Sequence, residues 1–308
     1  MHCFIYNNSI FLNGVYMSNL ENKVAVITGG TRGLGLAMAK AFASEGAAVV
    51  VASRSQEAVD LAVNELQKAG AKSSGISVDA GDLSQIEELA SHAIHVFGKM
   101  DIWVNNAGVA GPYGPTVLFQ PEDFEKIVQT NILGVYYGSR TAMRTFLNQG
   151  SGKLINLLGH GYRGPVAYQN AYSSSKAWVC SFTLALAKET KDSNVGVFAY
   201  NPGMVLTELL TKVDVIEGFE ERLKVFPSVV RMLAKPPELP AKKAVWIASA
   251  ATDGKTGKVF NYSSNLSVMA NALKGMFQRS KKEVEIEVTS VLAAEGTVVR
   301  SKPEVSKQ

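Results

Sequence analysis

Short apolar runs rich in β-branched residues alternate with longer amphipathic stretches between residues 23 and 262, and each kind predicts its own element. Lys23 to Thr28 reads as a buried parallel strand, as do Ala47 to Ala52, Ile76 to Val78, Ile102 to Val104, Leu154 to Leu158, Val195 to Tyr200 and Lys258 to Tyr262. Helical spacing predicts helices over Leu36 to Glu45, Glu57 to Ala69, Ser84 to Phe97, Pro121 to Phe146, Tyr168 to Thr190 and residues 241–250. Gly46 and Gly70 stop the first two helices, and Pro121 is tolerated in the first turn of the fourth. Strands alternating with helices in this order predict an α/β fold, a doubly wound parallel sheet of seven strands in one domain.

In such a sheet, sites form outside the carboxyl ends of the strands. Four loop segments follow predicted strands and converge there: Gly29 to Gly35, Asn105 to Gly108, Gly159, and Asn201-Pro202-Gly203. The glycines of the first segment permit positive φ and let the backbone approach a pyrophosphate at a helix N-terminus. Its spacing, G-x-x-x-G-x-G, differs from the common dinucleotide fingerprint, so a tight turn without a ligand is the competing reading. At the end of the second strand an acidic residue would take ribose hydroxyls, whereas a basic one suits a 2′-phosphate. Ser53 is neutral and Arg54 basic there, with Arg32 available from the turn, which favours NADP over NAD. Either arginine also reads as a solvated surface charge. Asp79, after the third strand, reads as an adenine contact or a turn acid.

Composition narrows the class. The chain has 308 residues, 46% of them hydrophobic, and a net charge of +4. Basic runs interleaved with aromatics are absent, which argues against nucleic acid. Cys3 and Cys180 are the only cysteines, so there is no disulfide framework and no thiolate metal site, and a reducing compartment, taken as the cytoplasm, fits. His92 and His95 lie off the apolar helix face without a third ligand and read as solvated, so no metal is expected. Apolar runs fall short of the ~20 residues that span a membrane. Residues 1–16 lack a basic leading segment and read as a mistaken upstream start or a loose tail.

Tyr172 and Lys176 stand four residues apart and therefore share a helix face. A lysine ammonium beside a phenol stabilises the phenolate, so this pair predicts a tyrosine that exchanges a proton near ordinary pH.

Taken together, Thr28-Gly-Gly-Thr-Arg-Gly-Leu-Gly35, Asn105-Asn-Ala-Gly108, Asn131, Tyr172-x-x-x-Lys176 and Pro202-Gly203 with Thr207 resemble the short-chain dehydrogenase/reductase family, with a Rossmann-type fold, over residues 23–263. The resemblance implies an NAD(P)-dependent oxidoreductase of an aldehyde, ketone or alcohol. Tyr172 would be the acid/base, Lys176 would lower its pKa and bind the nicotinamide ribose, Asn131 would hold a relay water, and Thr207 the carboxamide. It implies cofactor contacts from Gly29, Thr31, Arg32, Gly33, Leu34, Gly35, Ser53, Arg54, Asp79, Asn106, Ala107, Gly108, Tyr172, Lys176, Pro202, Gly203, Val205 and Thr207. It also implies a homo-oligomer, a dimer or a tetramer.

One departure stands out. The family serine expected thirteen residues before the tyrosine falls on Gly159. Loss of one oxyanion donor typically costs ~10² to 10³ in rate. His160, Tyr162 or the Gly159 backbone N–H are the candidate replacements, with His160 reading equally as a loop residue without a role. Ser53-Arg-Ser-x-Glu-Ala-Val-Asp60, Ile102-Trp-Val-Asn-Asn-Ala-Gly108, Pro202-Gly-Met-Val-Leu-Thr-Glu-Leu-Leu210 and Gly257-Lys-Val-Phe-Asn-Tyr262 are similar to the chlorophyll b reductase branch, which the resemblance implies also carries glycine here. That branch suggests a formyl reductase, and the missing serine alternatively suggests a cofactor-binding regulator without turnover.

Residues 208–240, where the resemblance places a substrate lid, are apolar with interspersed Lys212, Arg222, Lys224 and Arg231. They read as a cover for a bulky apolar substrate, a membrane or subunit contact, or core packing. Residues 266–308 form a C-terminal extension beyond a domain of residues 17–265. Within it, Lys281 to Val288 alternates charge with β-branched residues, as a half-exposed strand or a frayed tail would.

Overall fold

The computed structural model describes residues 5–6, 9–12, 15–17, 19–262 and 285–294. Three short antiparallel strands come first, β1 (Ile5–Tyr6), β2 (Ser9–Leu12) and β3 (Val15–Met17). The body follows as β4 (Val24–Thr28), α1 (Gly33–Ser44), β5 (Ala48–Ser53), α2 (Gln56–Lys68), β6 (Ser73–Ser77), α3 (Leu83–Phe97) and β7 (Ile102–Asn105). Then come α4 (Pro121–Ile127), α5 (Gly134–Gln149), β8 (Gly152–Leu157), α6 (Asn170–Glu189) and β9 (Val195–Asn201). After β9 come α7 (Glu208–Thr211), β10 (Lys212–Ile216), α8 (Phe226–Leu233), α9 (Glu238–Ala248), β11 (Lys258–Asn261) and β12 (Glu287–Val291).

Seven strands form one sheet in the order β11-β9-β8-β7-β4-β5-β6, with every neighbouring pair parallel. A parallel strand buried on both faces reads as a near-continuous apolar run, and β4 is buried at all five positions and apolar at the first four, with Thr28 closing it. Its side chains alternate between two cores, because successive residues point to opposite faces. Ala25 and Ile27 join the side of α1 and α9 with Met38, Phe42 and Ala244, whereas Val26 joins the side of α3 and α5 with Leu89, Ala90 and Phe146. Strand order reverses direction at β4, which lies between β5 and β7, and this switch point opens the crevice at the carboxyl ends.

Several boundaries differ from expectation. The third strand begins at Ser73, three residues before the apolar signal at Ile76, because Ser73, Ser74 and Gly75 pair with Val49, Val50 and Val51 through the backbone alone. The single helix expected over Pro121 to Phe146 is interrupted by a π-helical segment, Val128–Leu133. Residues 208–240, to which the sequence assigns no element, contribute a strand: β10 pairs in parallel with β12 over five residue pairs, from Lys212 with Glu287 to Ile216 with Val291. A strand therefore does form in the extension, starting at Glu287, whereas residues 281–284 lie outside the described residues.

Candidate active site

The glycine turn after β4 has a left-handed backbone at Gly29 (φ 63°) and Gly33 (φ 54°), which glycine adopts without steric cost. Arg32 is the N-cap of α1 and its side chain makes no cap, so the first N–H groups of that 12-residue helix face the turn without a side-chain acceptor. Gly35 cannot carry a side chain: a Cβ there would overlap the Gly29 carbonyl oxygen and stand 2.6 Å from Nδ2 of Asn106. Asn106 stitches the second loop to the first, its Nδ2 donating to the carbonyls of Thr28 and Gly29 at 3.0 Å each. The N–H groups of Asn106 and Ala107 both donate to Oγ1 of Thr28, at 3.1 and 3.2 Å. A cradle of backbone, a helix N-terminus and no room for side chains fits the pyrophosphate of a dinucleotide.

Along the cradle, Thr31 and Leu34 are half-buried and Arg54 is exposed at the end of β5. Ser53 donates its hydroxyl to the Ser55 carbonyl at 3.4 Å. Asp79 uses one carboxylate oxygen to accept the Gly81 N–H at 2.9 Å. Arg32 is paired with Glu208 of α7 at 2.5 Å, and both side chains are exposed.

Tyr172 and Lys176 lie in α6 with the lysine buried and the tyrosine half-buried. Lys176 Nζ donates to the Leu157 carbonyl at 3.2 Å and stands 5.6 Å from the Tyr172 ring centroid. Burial pushes the Tyr172 phenol up to about 12 and draws the Lys176 ammonium down to about 8. The expected lowering of the tyrosine by the lysine is thus outweighed, because both groups lose solvent, which disfavours whichever form is charged.

Asn131 falls in the π-helical segment and is fully buried. Its Oδ1 accepts the Val109 N–H at 2.9 Å, and its Nδ2 donates to the Val109 carbonyl at 2.9 Å and to Oγ of Ser175 at 3.1 Å. One extra residue in a turn re-aims a side chain, which is how a long helix presents an amide to the neighbouring loop. A Cβ on Gly108 would stand 3.3 Å from Asn131 Oδ1 and 3.7 Å from Lys176 Nζ, so these three residues meet.

After β9, Pro202 is buried and Gly203 turns with φ 75°. Val205 forms an isolated parallel bridge with Lys235. Cγ2 of Thr207 lies 3.2 Å from the point a Cβ on Gly33 would occupy, which closes this segment onto the glycine turn. Gly159 is buried at the end of β8, where a Cβ would overlap the Tyr172 hydroxyl. His160 is exposed. Tyr162 donates its hydroxyl to Oδ1 of Asn261 in β11 at 2.8 Å, so its proton is committed away from Tyr172 and Lys176.

Sequence reasoning missed two groups. Asn105 heads a buried polar network, accepting from Trp103 Nε1 at 2.7 Å and donating to Ser139 at 3.1 Å and to Asn156 at 2.8 Å. Asn156 in turn donates to Thr183 at 2.9 Å, tying β7, β8 and α6 beneath the site. An asparagine closing an apolar strand was the available signal. The second group is aromatic: Tyr168, with φ 65°, lies 5.7 Å from the Tyr113 ring and 6.0 Å from Phe219, with Arg222 4.5 Å above it.

Residues 23–216 match the family model described as short chain dehydrogenase. The chain is 38% identical over 204 residues to a probable chloroplastic chlorophyll(ide) b reductase of Arabidopsis thaliana, covering 60% of this chain and 41% of the relative. It is 33% identical over 295 residues to the protein of the same description from Oryza sativa subsp. japonica, covering 90% of this chain and 56% of the relative. The chain thus spans about half the length of these two relatives. The structure of a 3-ketoacyl-(acyl-carrier-protein) reductase from Brucella melitensis complexed with NADH superposes with a TM-score of 0.71 at 31% identity, covering 79% of this chain and 97% of that one. The protein belongs to the short-chain dehydrogenase family. Among the described residues no helix is long and apolar enough to cross a membrane.

Proposed function

We propose that the protein is an NADP-preferring reductase of an aldehyde or ketone. The observation that carries the reading is the Tyr172–Lys176 pair, held beside Gly108, Asn131 and Gly159 at the carboxyl end of the sheet. With the phenol at about 12 and the ammonium at about 8, Tyr172 is a proton donor at neutral pH and Lys176 is cationic. That protonation state suits reduction.

When bound, the nicotinamide supplies the hydride to the carbonyl carbon. Tyr172 gives its phenolic proton to the carbonyl oxygen, and Lys176 stabilises the phenolate left behind. Asn131 braces the loop after Gly108 against α6, and the remaining lone pair on its Oδ1 is free to receive a relay water. The glycine turn, Ser53, Arg54, Asp79, the Asn106 to Gly108 loop and the Pro202 to Thr207 segment form the cofactor cradle. Arg32 and Arg54, with no acidic residue at position 53, support the preference for a 2′-phosphate.

A narrower reading, reduction of the formyl group of a chlorophyll-like macrocycle, is favoured by the likeness to the plant relatives, which extends over 90% of the chain for the one from Oryza sativa subsp. japonica. We assign residues 17–265 to the catalytic domain, with residues 1–16 and 266–308 as additions to it. The exposed Tyr136 and the Trp178–Phe182 stack at 4.8 Å on α5 and α6 support a homo-oligomer. The scarcity of cysteines supports a reducing compartment.

The test is NADPH oxidation with a panel of aldehydes and ketones, and with chlorophyll b in detergent. Turnover of carbonyls supports the reading, and selective turnover of the formyl pigment supports the narrower one. NADPH binding without turnover of any of them would contradict both.

A further inference from the structure

We propose that the C-terminal segment 285–294 is a working part of the substrate lid, supplying a strand that fixes the lid and apolar side chains that complete its inner wall. This rests on the reading of the site as a carbonyl reductase, which it deepens by naming what selects for substrate bulk.

The segment lies beyond residues 23–216, which match the family model, yet it is built into the site's flank. β12 runs beside β10 in a continuous parallel ladder. On its other side β10 is held by Tyr113, whose N–H donates to the Asp214 carbonyl at 2.8 Å and whose carbonyl accepts the Ile216 N–H at 2.9 Å. The lid strand is therefore a middle strand, clasped by the loop after β7 on one side and by the C-terminal extension on the other. A two-stranded contact is marginal alone, whereas a third partner fixes position.

Three further bonds pin the segment where β12 ends. The Glu217 N–H donates to the Val291 carbonyl at 3.0 Å, and the Ala294 N–H donates to the Leu118 carbonyl at 2.9 Å. Ser290 donates its hydroxyl to the Glu220 carboxylate at 2.7 Å. The lid just after β10 and the loop after β7 are thereby tied to the same ten residues.

The side chains point the same way. Val291 and Ala293 are half-buried in a small apolar cluster with Val109, Ala171, Ile216 and Phe219. Two members of that cluster adjoin the chemistry directly. Val109 is the residue whose backbone Asn131 holds, and Ala171 precedes Tyr172. A charge placed at position 291 would be driven out of this cluster and would carry the lid edge with it. Small substrates need little of the wall, whereas bulky apolar ones lean on it.

Two measurements on the full chain test this. In Val291→Asp, with NADPH, KM for 2-naphthaldehyde should rise ~10-fold or more while KM for propanal and NADPH binding change little, as loss of apolar pocket contact predicts. Equal KM values in variant and wild type for both aldehydes would overturn the proposal. Hydrogen exchange of the wild type needs no activity: amides of 213–216 and 287–291 should exchange slowly and at matched rates. Exchange of 287–291 at unstructured rates, with 213–216 protected, would overturn the proposal even if the variant failed to fold. If the wild type reduced neither aldehyde, the carbonyl reductase reading would fall, while the exchange data would still decide the role of the segment.

Discussion

The hydroxyl of Tyr172 occupies the space that a side chain at position 159 would need: a Cβ on Gly159 would overlap Oη and come within 3.0 Å of Cζ. The glycine is therefore more than a serine that lost its hydroxyl. It is the condition under which this phenol reaches the end of β8, and the two positions are read together as one feature of the site.

Restoring the family residue should consequently harm the enzyme. Gly159→Ser should displace the tyrosine ring, and because a misplacement of about 1 Å at a reacting group costs on the order of 10² in rate, kcat should fall by that order. NADPH binding, measured by fluorescence, should change little. A kcat equal to or above the wild type would show that the ring moves aside without consequence.

The opposite shifts of the catalytic pair set the pH dependence. Reduction needs the phenol protonated and the ammonium charged, and the Lys176 charge is present below its lowered value and lost as pH rises through about 8. The phenol, raised to about 12, keeps its proton across that range. The profile of kcat/KM for reduction should be flat near neutrality and fall above about 8. A profile that climbs through that region would contradict the assignment of Lys176.

Cofactor choice rests on a charge. Arg54→Ala should weaken NADPH by roughly 10-fold or more, the scale of a hydrogen bond to a charged group, and leave NADH nearly unaffected. Equal losses for both cofactors, measured by titration, would refute the contact with the 2′-phosphate. Glu208→Gln should act in the other direction, because Arg32 now pairs with that carboxylate at 2.5 Å.

Asn131 carries three hydrogen bonds in a fully buried place. Asn131→Ala would leave both backbone groups of Val109 without their partner, at a cost of roughly 2–4 kcal/mol. Urea unfolding should show that loss as a lower midpoint. A midpoint unchanged from the wild type would mean that water replaces the amide.

The main sheet was legible because its strands are buried on both faces and so carry unbroken apolar runs, as in Val24 to Thr28 and Val195 to Tyr200. Edge strand β6 was misplaced because Ser73 and Ser74 pair through the backbone, which leaves no hydrophobic trace. The π-helical turn at Asn131 was invisible for a similar reason, since it changes hydrogen bonding but not the apolar spacing. β10 was hidden by distance: Lys212 pairs with Glu287, and a parallel partner so far along the chain leaves no local signature. At the site, the spacing of Tyr172 and Lys176 gave their shared helix face but not their burial, and burial decides both pKa values. Likewise Tyr162, a candidate donor by position, has its proton drawn to Asn261 by a strand that lies far away in sequence.

The central claim is that Tyr172 delivers the proton. The most direct measurement is single-turnover oxidation of bound NADPH by a reducible aldehyde in wild type and Tyr172→Phe. We expect the variant to bind NADPH as the wild type does and to lose about 10² to 10⁴ in the rate of turnover, the range for a missing general acid. A rate within a few-fold of the wild type would show that the proton comes from elsewhere.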